Sequence, residues 1–438
     1  MTDTTPSSFT THGLHTSAAA QARMRRRYAA ERRFRLYGIA AIVAALGVLA
    51  VLLFTIVSQG YTAFVNTEIE LEVYVDPADF SFEGTTPTSE EIGAGNYRNL
   101  LSSALQENLP DADAPGAARD LRGILSGQAY RQLRETLLAD PSLIGQRVSM
   151  SFLASSDIDQ AFKGNTPRDV PEERRRVSNL QYEWMDYLEN QGQISTSFNS
   201  NLFTQADSRQ PEQAGLWGAI VGSFYLMLVV AVLSIPLGVG AAIYLEEFAP
   251  KNRLTSFIEI NINNLAAVPS IIFGLLGLAV FIQVFGLPRS APLVGGLALT
   301  LMTLPTIIIA ARASLRSIPP SIREAAYGLG ASKMQMVFHH VLPLALPGIL
   351  TGSIIGLAQA LGETAPLLMI GMNAFITSAP DSMFSPSTAL PSQIYIWADS
   401  SERGFVERTS AGIMVLLGFL ILMNATAIFL RKRFEKRW

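Results

Sequence analysis

Glu363 is the only charged residue between Pro347 and Met372, a stretch otherwise apolar enough to cross a bilayer. An ionisable side chain at that depth faces a bundle interior or a water path by default. A bare carboxylate repels an anion, so Glu363 reads as the partner of a cation or as a gating hydrogen bond, not as an anion ligand. The plainer alternative is an interhelix anchor. Gln359 lies four residues earlier, a spacing that puts both side chains on one face of a continuous helix and within hydrogen-bond reach. Gly362 and Pro366 flank the carboxylate in the string ALGETAPLL. Thr364, and Ser270 just after Pro269, offer hydroxyls to a polar path or to a local carbonyl. Pro236, Pro269, Pro305 and Pro366 all fall in apolar stretches, where each removes a backbone donor and kinks or hinges its helix.

Other chemistries are excluded by residue type. The chain has no Cys, which rules out disulfides, thiolate catalysis and Cys-based zinc sites. It has four His, and the adjacent pair His339 and His340 would point about 100° apart on a helix, so no shared metal site is expected. A phosphate loop needs Gly directly before its Lys, and none of the five Lys follows a Gly. The chain is therefore not expected to be an ATPase, nor to hold a cofactor. A net charge of −3 gives no basic balance for nucleic acid.

The elements that would position these residues follow from the apolar pattern. Of 438 residues, 49% are hydrophobic and 16% charged, and the mean hydropathy is +0.27. That mixture implies a membrane part and a water-soluble part. Six stretches approach the roughly 20 residues a span requires. They are Tyr37–Val57, Leu216–Leu245, Asn264–Phe285, Pro292–Ala311, Pro347–Met372 and Ala411–Leu430. The first follows a basic run but exceeds a signal peptide's apolar core and lacks a clean cleavage site, so it reads as a retained anchor.

With the N-terminus inside, segments 1–36, 246–256, 312–346 and 431–438 carry 7, 2, 4 and 5 basic residues. The short outside loops 286–291 and 373–410 carry 1 and 2. This asymmetry places both termini in the cytoplasm and 58–215 outside.

Residues 58–215 hold 12 basic and 24 acidic residues. Glu68–Asp76 alternates polar and apolar, as a half-buried strand does. Asn96–Leu109, Gly116–Leu138 and Pro171–Gly192 read as helices, and Ile194–Phe203 as a further strand. No catalytic constellation appears here. The whole chain thus reads as an all-α polytopic membrane protein of six transmembrane helices, with an α+β extracytoplasmic domain between the first and second. Its parts are a basic segment 1–36, a span 37–57, the acidic domain 58–215 and a membrane core 216–438.

Between the fourth and fifth spans, segment 312–346 has the grammar of helix, turn and helix. Pro319 and Pro320 suit a helix start. Gly328 and Gly330 supply the positive φ that ends it. Ser332 caps a second helix through Val341, and Pro343 stops it.

This segment resembles the coupling motif of ABC importer permeases. The motif falls on Glu324-Ala325-Ala326, on Gly330 and on Leu342-Pro343, with His340 where the family usually has an apolar residue. The resemblance implies an ABC importer permease fold and a loop that inserts into a groove of a partner ATPase, which binds the ATP. Further stretches are similar to the PstA-type phosphate permeases: NLAAVPSIIFGLLGLAVF, LALTLMTLPTIIIAA, ALGETAPLL and MNATAIFLRKR. The similarity covers about 216–438, and the acidic domain is an insertion many members lack.

Members commonly carry Arg where this chain has Gln359. The missing positive charge is expected from Arg312 or from a second permease subunit. The resemblance implies transport of inorganic phosphate across a bacterial inner membrane. The implied partners are a second permease in a heterodimer, ATP-binding subunits and a periplasmic phosphate-binding protein. A permease for another oxyanion, molybdate or sulfate, is the alternative. A membrane-anchored receptor sensing through 58–215 is a further one.

Overall fold

The computed structural model describes residues 18–82 and 88–434. The start of the basic segment 1–36, and Lys436 and Arg437 of the C-terminal one, lie outside the described residues. The chain divides into two units, Met1–Ser58 and Gln59–Trp438. The described part of the first unit is one helix, α1 (Ala18–Gly60), which joins the arginine-rich run to the apolar stretch without a break. Its apolar side chains are exposed, Phe54 at 74% and Val48 at 70%. A helix exposed and apolar over 20 residues is one that lipid solvates.

The second unit contains a three-stranded antiparallel sheet of β1 (Val65–Tyr74), β2 (Arg147–Leu153) and β3 (Ile194–Phe198), in the order β2-β1-β3. Leu71 lies opposite Met150, and Thr67 opposite Thr196. The expected alternation holds in β1: Ile69, Leu71 and Val73 are fully buried, while Glu70 and Glu72 are exposed. The buried face packs with α2 (Tyr97–Asn108), α3 (Ala129–Ala139), α4 (Ser156–Phe162) and α5 (Asn179–Asn190). Leu100, Leu133, Ile158 and Trp184 are among the large side chains those helices bury. At about 1.5–3 kcal/mol for each fully buried large apolar side chain, this core holds together without disulfides.

Several expected boundaries move. Gly116–Leu138 is not one helix but a short turn, Ala117–Leu121, followed by α3. Between them Leu125 bridges to Ala154, and Ser126 N donates to Leu153 O at 2.8 Å, so pairing with the β2 end overrides helix propensity. The helix expected from Pro171 begins after Ser178. Ser178 Oγ accepts from Gln181 N at 3.1 Å, and Gln181 Oε1 accepts from Ser178 N at 3.0 Å. That reciprocal cap satisfies two orphan donors, which Pro171 does not. The strand expected over Ile194–Phe203 ends at Phe198, and Asn201–Thr204 is a helical turn. β2 was not expected, although Val148, Met150 and Phe152 alternate in the same way.

The membrane part comprises α6 (Trp217–Ile243), α7 (Arg253–Ala266), α8 (Ser270–Leu276, running on to Val284), α9 (Pro292–Arg316), α10 (Pro320–Gly328), α11 (Leu342–Gly362), α12 (Ala365–Met369), α13 (Leu390–Ala398) and α14 (Gly404–Phe434). Among the described residues five helices are long and apolar enough to span, or six if α7 and α8 count as one bent span. The stretch Asn264–Phe285 is therefore not a straight span. It turns by 103° at Pro269, which has no N–H to give the carbonyl of Leu265. Pro343 also departs from expectation, for the helix runs unbroken from Lys333 to Gly362. Pro343 follows a π-helical segment, Met336–Val341, whose wider turn accommodates a disrupted backbone ladder.

α9 is the central element, packed against both α6 and α11. Val294, Ala298 and Leu299 on it are fully buried. Gly352 of α11 passes so close that a Cβ there would lie 2.2 Å from the Ala310 Cβ. In lipid, small residues of this kind replace the hydrophobic effect as the means of helix association. Gly352→Leu is expected to lower the stability of the purified protein by about 1–3 kcal/mol, read from thermal unfolding in detergent.

Candidate functional site

Arginine–glutamate contacts mount the segment between α9 and α11. Arg323 of α10 gives Nη2 to Glu247 Oε1 at 2.7 Å and to Leu315 O at 3.0 Å, and Nη1 to Ile318 O at 2.7 Å. Arg312 gives Nη2 to Glu259 Oε1 at 2.6 Å, with Glu246 at 3.5 Å from its Nε. Arg316 binds both oxygens of Glu246 at 2.9 and 2.8 Å. The Arg316 pair is exposed on one side and contributes little. Glu247 is 6% exposed in its side chain, so its contact with Arg323 is the one that ties α10 to the end of α6, while the bonds of Arg323 to Leu315 O and Ile318 O hold α10 to the end of α9. Sequence reasoning missed this clamp. Its signal is a Glu-Glu pair directly after an apolar stretch, matched by arginines at the end of another.

On this mount α10 buries Ala326 and exposes Glu324, Ala325 and Leu329. Gly330 has φ +82°, a backbone state that L side chains adopt only at a cost. Gly328 keeps a helical backbone, so the turn rests on Gly330 alone. Ser332 Oγ accepts from Gln335 N at 3.3 Å and Gln335 Oε1 accepts from Ser332 N at 2.9 Å, which starts the next helix as expected. Leu342 and Pro343 lie half-buried in its continuation, and His339 and His340 are exposed. The result is an exposed knob on a rigid base.

The second group of expected residues surrounds a broken helix. Glu363 ends α11 with an extended backbone, φ −79° and ψ 125°. Thr364 precedes α12, and Pro366 lies in its first turn. Pro366 has no N–H for the carbonyl of Gly362, and here the helix breaks between Gly362 and Ala365. No hydrogen bond joins Gln359 to Glu363, the residue at which the chain leaves the helix. Among the described residues no cation stands within ion-pair distance of Glu363, which is half-buried. Arg312 is engaged with Glu259 and Glu246 instead. The structure does bring the two breaks together. α8, which begins at Ser270, packs on α12, and a Cβ at Gly274 would lie 2.6 Å from the Pro366 Cα.

A third group was not anticipated. The sheet domain meets the start of α14 through buried charges. Lys163 Nζ lies 2.6 Å from Asp159 Oδ2 and 3.2 Å from Glu407 Oε1, with side chains only 3–4% exposed. Thr62 Oγ1 donates to Glu407 Oε2 at 2.7 Å, and Thr67 N donates to Asp159 Oδ1 at 2.8 Å. Arg408, 1% exposed, gives Nη1 to Ala63 O at 3.1 Å and Nη2 to Asn66 Oδ1 at 3.0 Å. Nearby, Glu212 Oε1 accepts from Ser126 Oγ at 2.7 Å, and Asp207 Oδ1 accepts from Trp397 Nε1 at 2.9 Å. Burial pushes the carboxyls of Glu212 and Asp207 above their ordinary range, and those hydrogen bonds only partly offset it.

Two predictions follow from this junction. Lys163→Met leaves Glu407 and Asp159 buried without their cation and should cost about 3–5 kcal/mol in thermal unfolding of the purified chain. Glu212 has a raised folded pKa, so its stabilising share is present below its unfolded value of about 4.3 and is lost as the pH rises through the folded value. Glu212→Gln should therefore gain stability relative to the parent chain as the pH goes from 4 to 8, in melting curves taken across that range.

Residues 234–438 match the family described as binding-protein-dependent transport system inner membrane component. Residues 21–172 match a domain of unknown function, DUF3333. The probable ABC transporter permease protein YqgI of Bacillus subtilis is 30% identical over 51% of this chain and 80% of its own length. The phosphate transport system permease protein PstA 1 of Mycobacterium tuberculosis (strain CDC 1551 / Oshkosh) is 33% identical over 50% of this chain and 72% of its own length. Among solved structures, the inward-facing MetNI methionine ABC transporter aligns at 20% identity over 51% of this chain and 95% of that chain, with a TM-score of 0.37. The apolar helices and the relatives together make this a multi-pass inner-membrane protein, and the chain belongs to the PstA-type family of ABC importer permeases.

Proposed function

We propose that this chain is the permease subunit of an ATP-driven importer for inorganic phosphate. The observation that carries the reading is the exposed Glu324–Gly330 knob, held by Arg323 on the ends of α6 and α9. A partner that grips the knob moves α10, α9 and α11 together, because the clamp and the unbroken Lys333–Gly362 helix leave little slack. ATP would be bound and hydrolysed by partner subunits, and their closure would reach the spans through Glu324, Ala325, Ala326, Gly330, Leu342 and Pro343. A second permease would complete a heterodimer, and a periplasmic binding protein would deliver the ion.

In this reading α7 and α8 form one bent span, giving six in all. Both termini are cytoplasmic and 58–215 is periplasmic. The paired breaks at Pro269–Ser270 and at Gly362–Pro366 line the translocation route, where freed backbone groups meet water or the ion. Glu363 acts there as a gate or hydrogen-bond partner, with Thr364 and Gln359 beside it. Arg312, compensated by two carboxylates, serves the route by positioning α7. Alternating access is then a shift of population between inward- and outward-facing packings. Phosphate is favoured by the similarity to a phosphate permease. Gln359 in place of the family's Arg favours the second reading, a permease for sulfate or molybdate.

Uptake decides between them. In cells lacking their own phosphate importer, the complete transporter should restore uptake of labelled phosphate, and sulfate or molybdate uptake in its place would establish the second reading. Glu324→Arg should leave membrane insertion intact while abolishing both uptake and co-purification of the ATPase. Normal uptake in that variant would overturn the coupling role of the knob.

A further inference from the structure

Four separate segments line a polar cavity of about 560 Å³. They are the first half of α3, the end of β2 at Leu153, the connection from Asn201 to Gln213, and the stretch after α12 that carries Phe375 and Thr377. We propose that this cavity binds a small oxyanion that retains a proton, and that it does so at the seam between the sheet domain and the membrane core. The proposal rests on the reading above for its choice of phosphate, whereas the chemistry of the cavity stands on its own.

Charge is the first argument. Arg131 lines the cavity, and Arg209 borders an adjoining one that shares Gln128, Arg131, Ser208 and Phe375 with it. Among the described residues neither guanidinium makes an ion pair. Arg209 lies instead over the Phe375 ring, 5.4 Å from its centroid, which fastens the core's stretch to the domain's. Two guanidiniums without carboxylate partners are forks of donors aimed at no protein acceptor. The second argument is the helix: Gln128 is the N-cap of the 11-residue α3 and no side chain caps it. The positive end of its dipole adds to Arg131 at the cavity wall and to Arg209 beside it.

The third argument concerns the proton. Gln213 is 7% exposed, and its Nε2 is spent on Ser126 Oγ at 2.7 Å and Gln210 Oε1 at 2.6 Å. Its Oε1 has no hydrogen-bond partner, although a buried acceptor normally has one. Asp207 and Glu135 also line the cavity, so acceptors stand among the donors. A fully deprotonated oxyanion such as sulfate has nothing to give them and is repelled by the carboxylates. Hydrogen phosphate keeps a P–OH at neutral pH and donates to one of them while its remaining oxygens take the guanidinium and amide donors.

The test uses the full chain in lipid nanodiscs, titrated calorimetrically at pH 7 and constant ionic strength with potassium phosphate and, separately, potassium sulfate. Phosphate should bind saturably, and sulfate about tenfold or more weaker. Arg131→Gln and Arg209→Gln should each weaken phosphate by about tenfold, and Arg131→Lys should retain more of the binding than Arg131→Gln. Gln213→Leu should narrow the gap between phosphate and sulfate. Unchanged melting temperatures establish that the variants are folded. Absent phosphate binding, binding that survives both arginine substitutions in folded protein, or equal affinity for sulfate overturns the site. Loss of phosphate uptake by the complete transporter with this binding intact would sink the transport reading and leave the site standing.

Discussion

Lys163 and Glu407 stand 244 residues apart and meet at 3.2 Å in a place water does not reach. Removing either partner strands a charge in a low-dielectric interior, so the contact holds as long as both are present. Its neighbours make it a joint rather than a point. Thr62, Ala63, Asn66 and Thr67 lead into β1 or begin it, and they bind Glu407, Arg408 and Asp159. The central strand of the sheet domain is thereby tied to the first turn of the last long helix. The domain is in this sense a fixed part of the second unit.

A second set of ion pairs performs a similar task at the C-terminal end of α9. Arg312, Arg316 and Arg323 meet Glu246, Glu247 and Glu259, and so join the ends of α6 and α9 to α7 and α10. Away from these charges, helices approach closely at small residues such as Gly352. The same core contains two interrupted helices whose breaks lie side by side at Gly274 and Pro366. Rigid, charge-pinned ends and a discontinuous middle form a combination able to repack between discrete states, because close-packed helices shift in steps and do not deform continuously.

Much of this was legible in the residues. Long apolar runs need no partner to declare themselves, so α1, α6, α9 and α14 fall where hydropathy put them. The alternation of Ile69, Leu71 and Val73 marks β1, and Ser332 with Gly330 marks the turn of the knob, since both signals act over a few residues. The proline signals were ambiguous. Pro269 and Pro366 mark true breaks, whereas the helix runs through Pro343, because a proline's effect depends on what the neighbouring turns do with the freed carbonyl. The expected Gln359–Glu363 hydrogen bond is absent, since a four-residue spacing brings two side chains within reach without joining them.

By itself, the sequence determined the membrane character and the acidic segment with strand and helix patterns between apolar stretches, both of which follow from local composition and periodicity, while the coupling motif was legible only through its resemblance to a family. Tertiary structure alone decided which charges are buried together. Lys163 looks like any surface lysine, Arg408 like a loop arginine, and Gln213 like a polar linker residue. What distinguishes them is the loss of water around them, and that depends on segments hundreds of residues away folding over them.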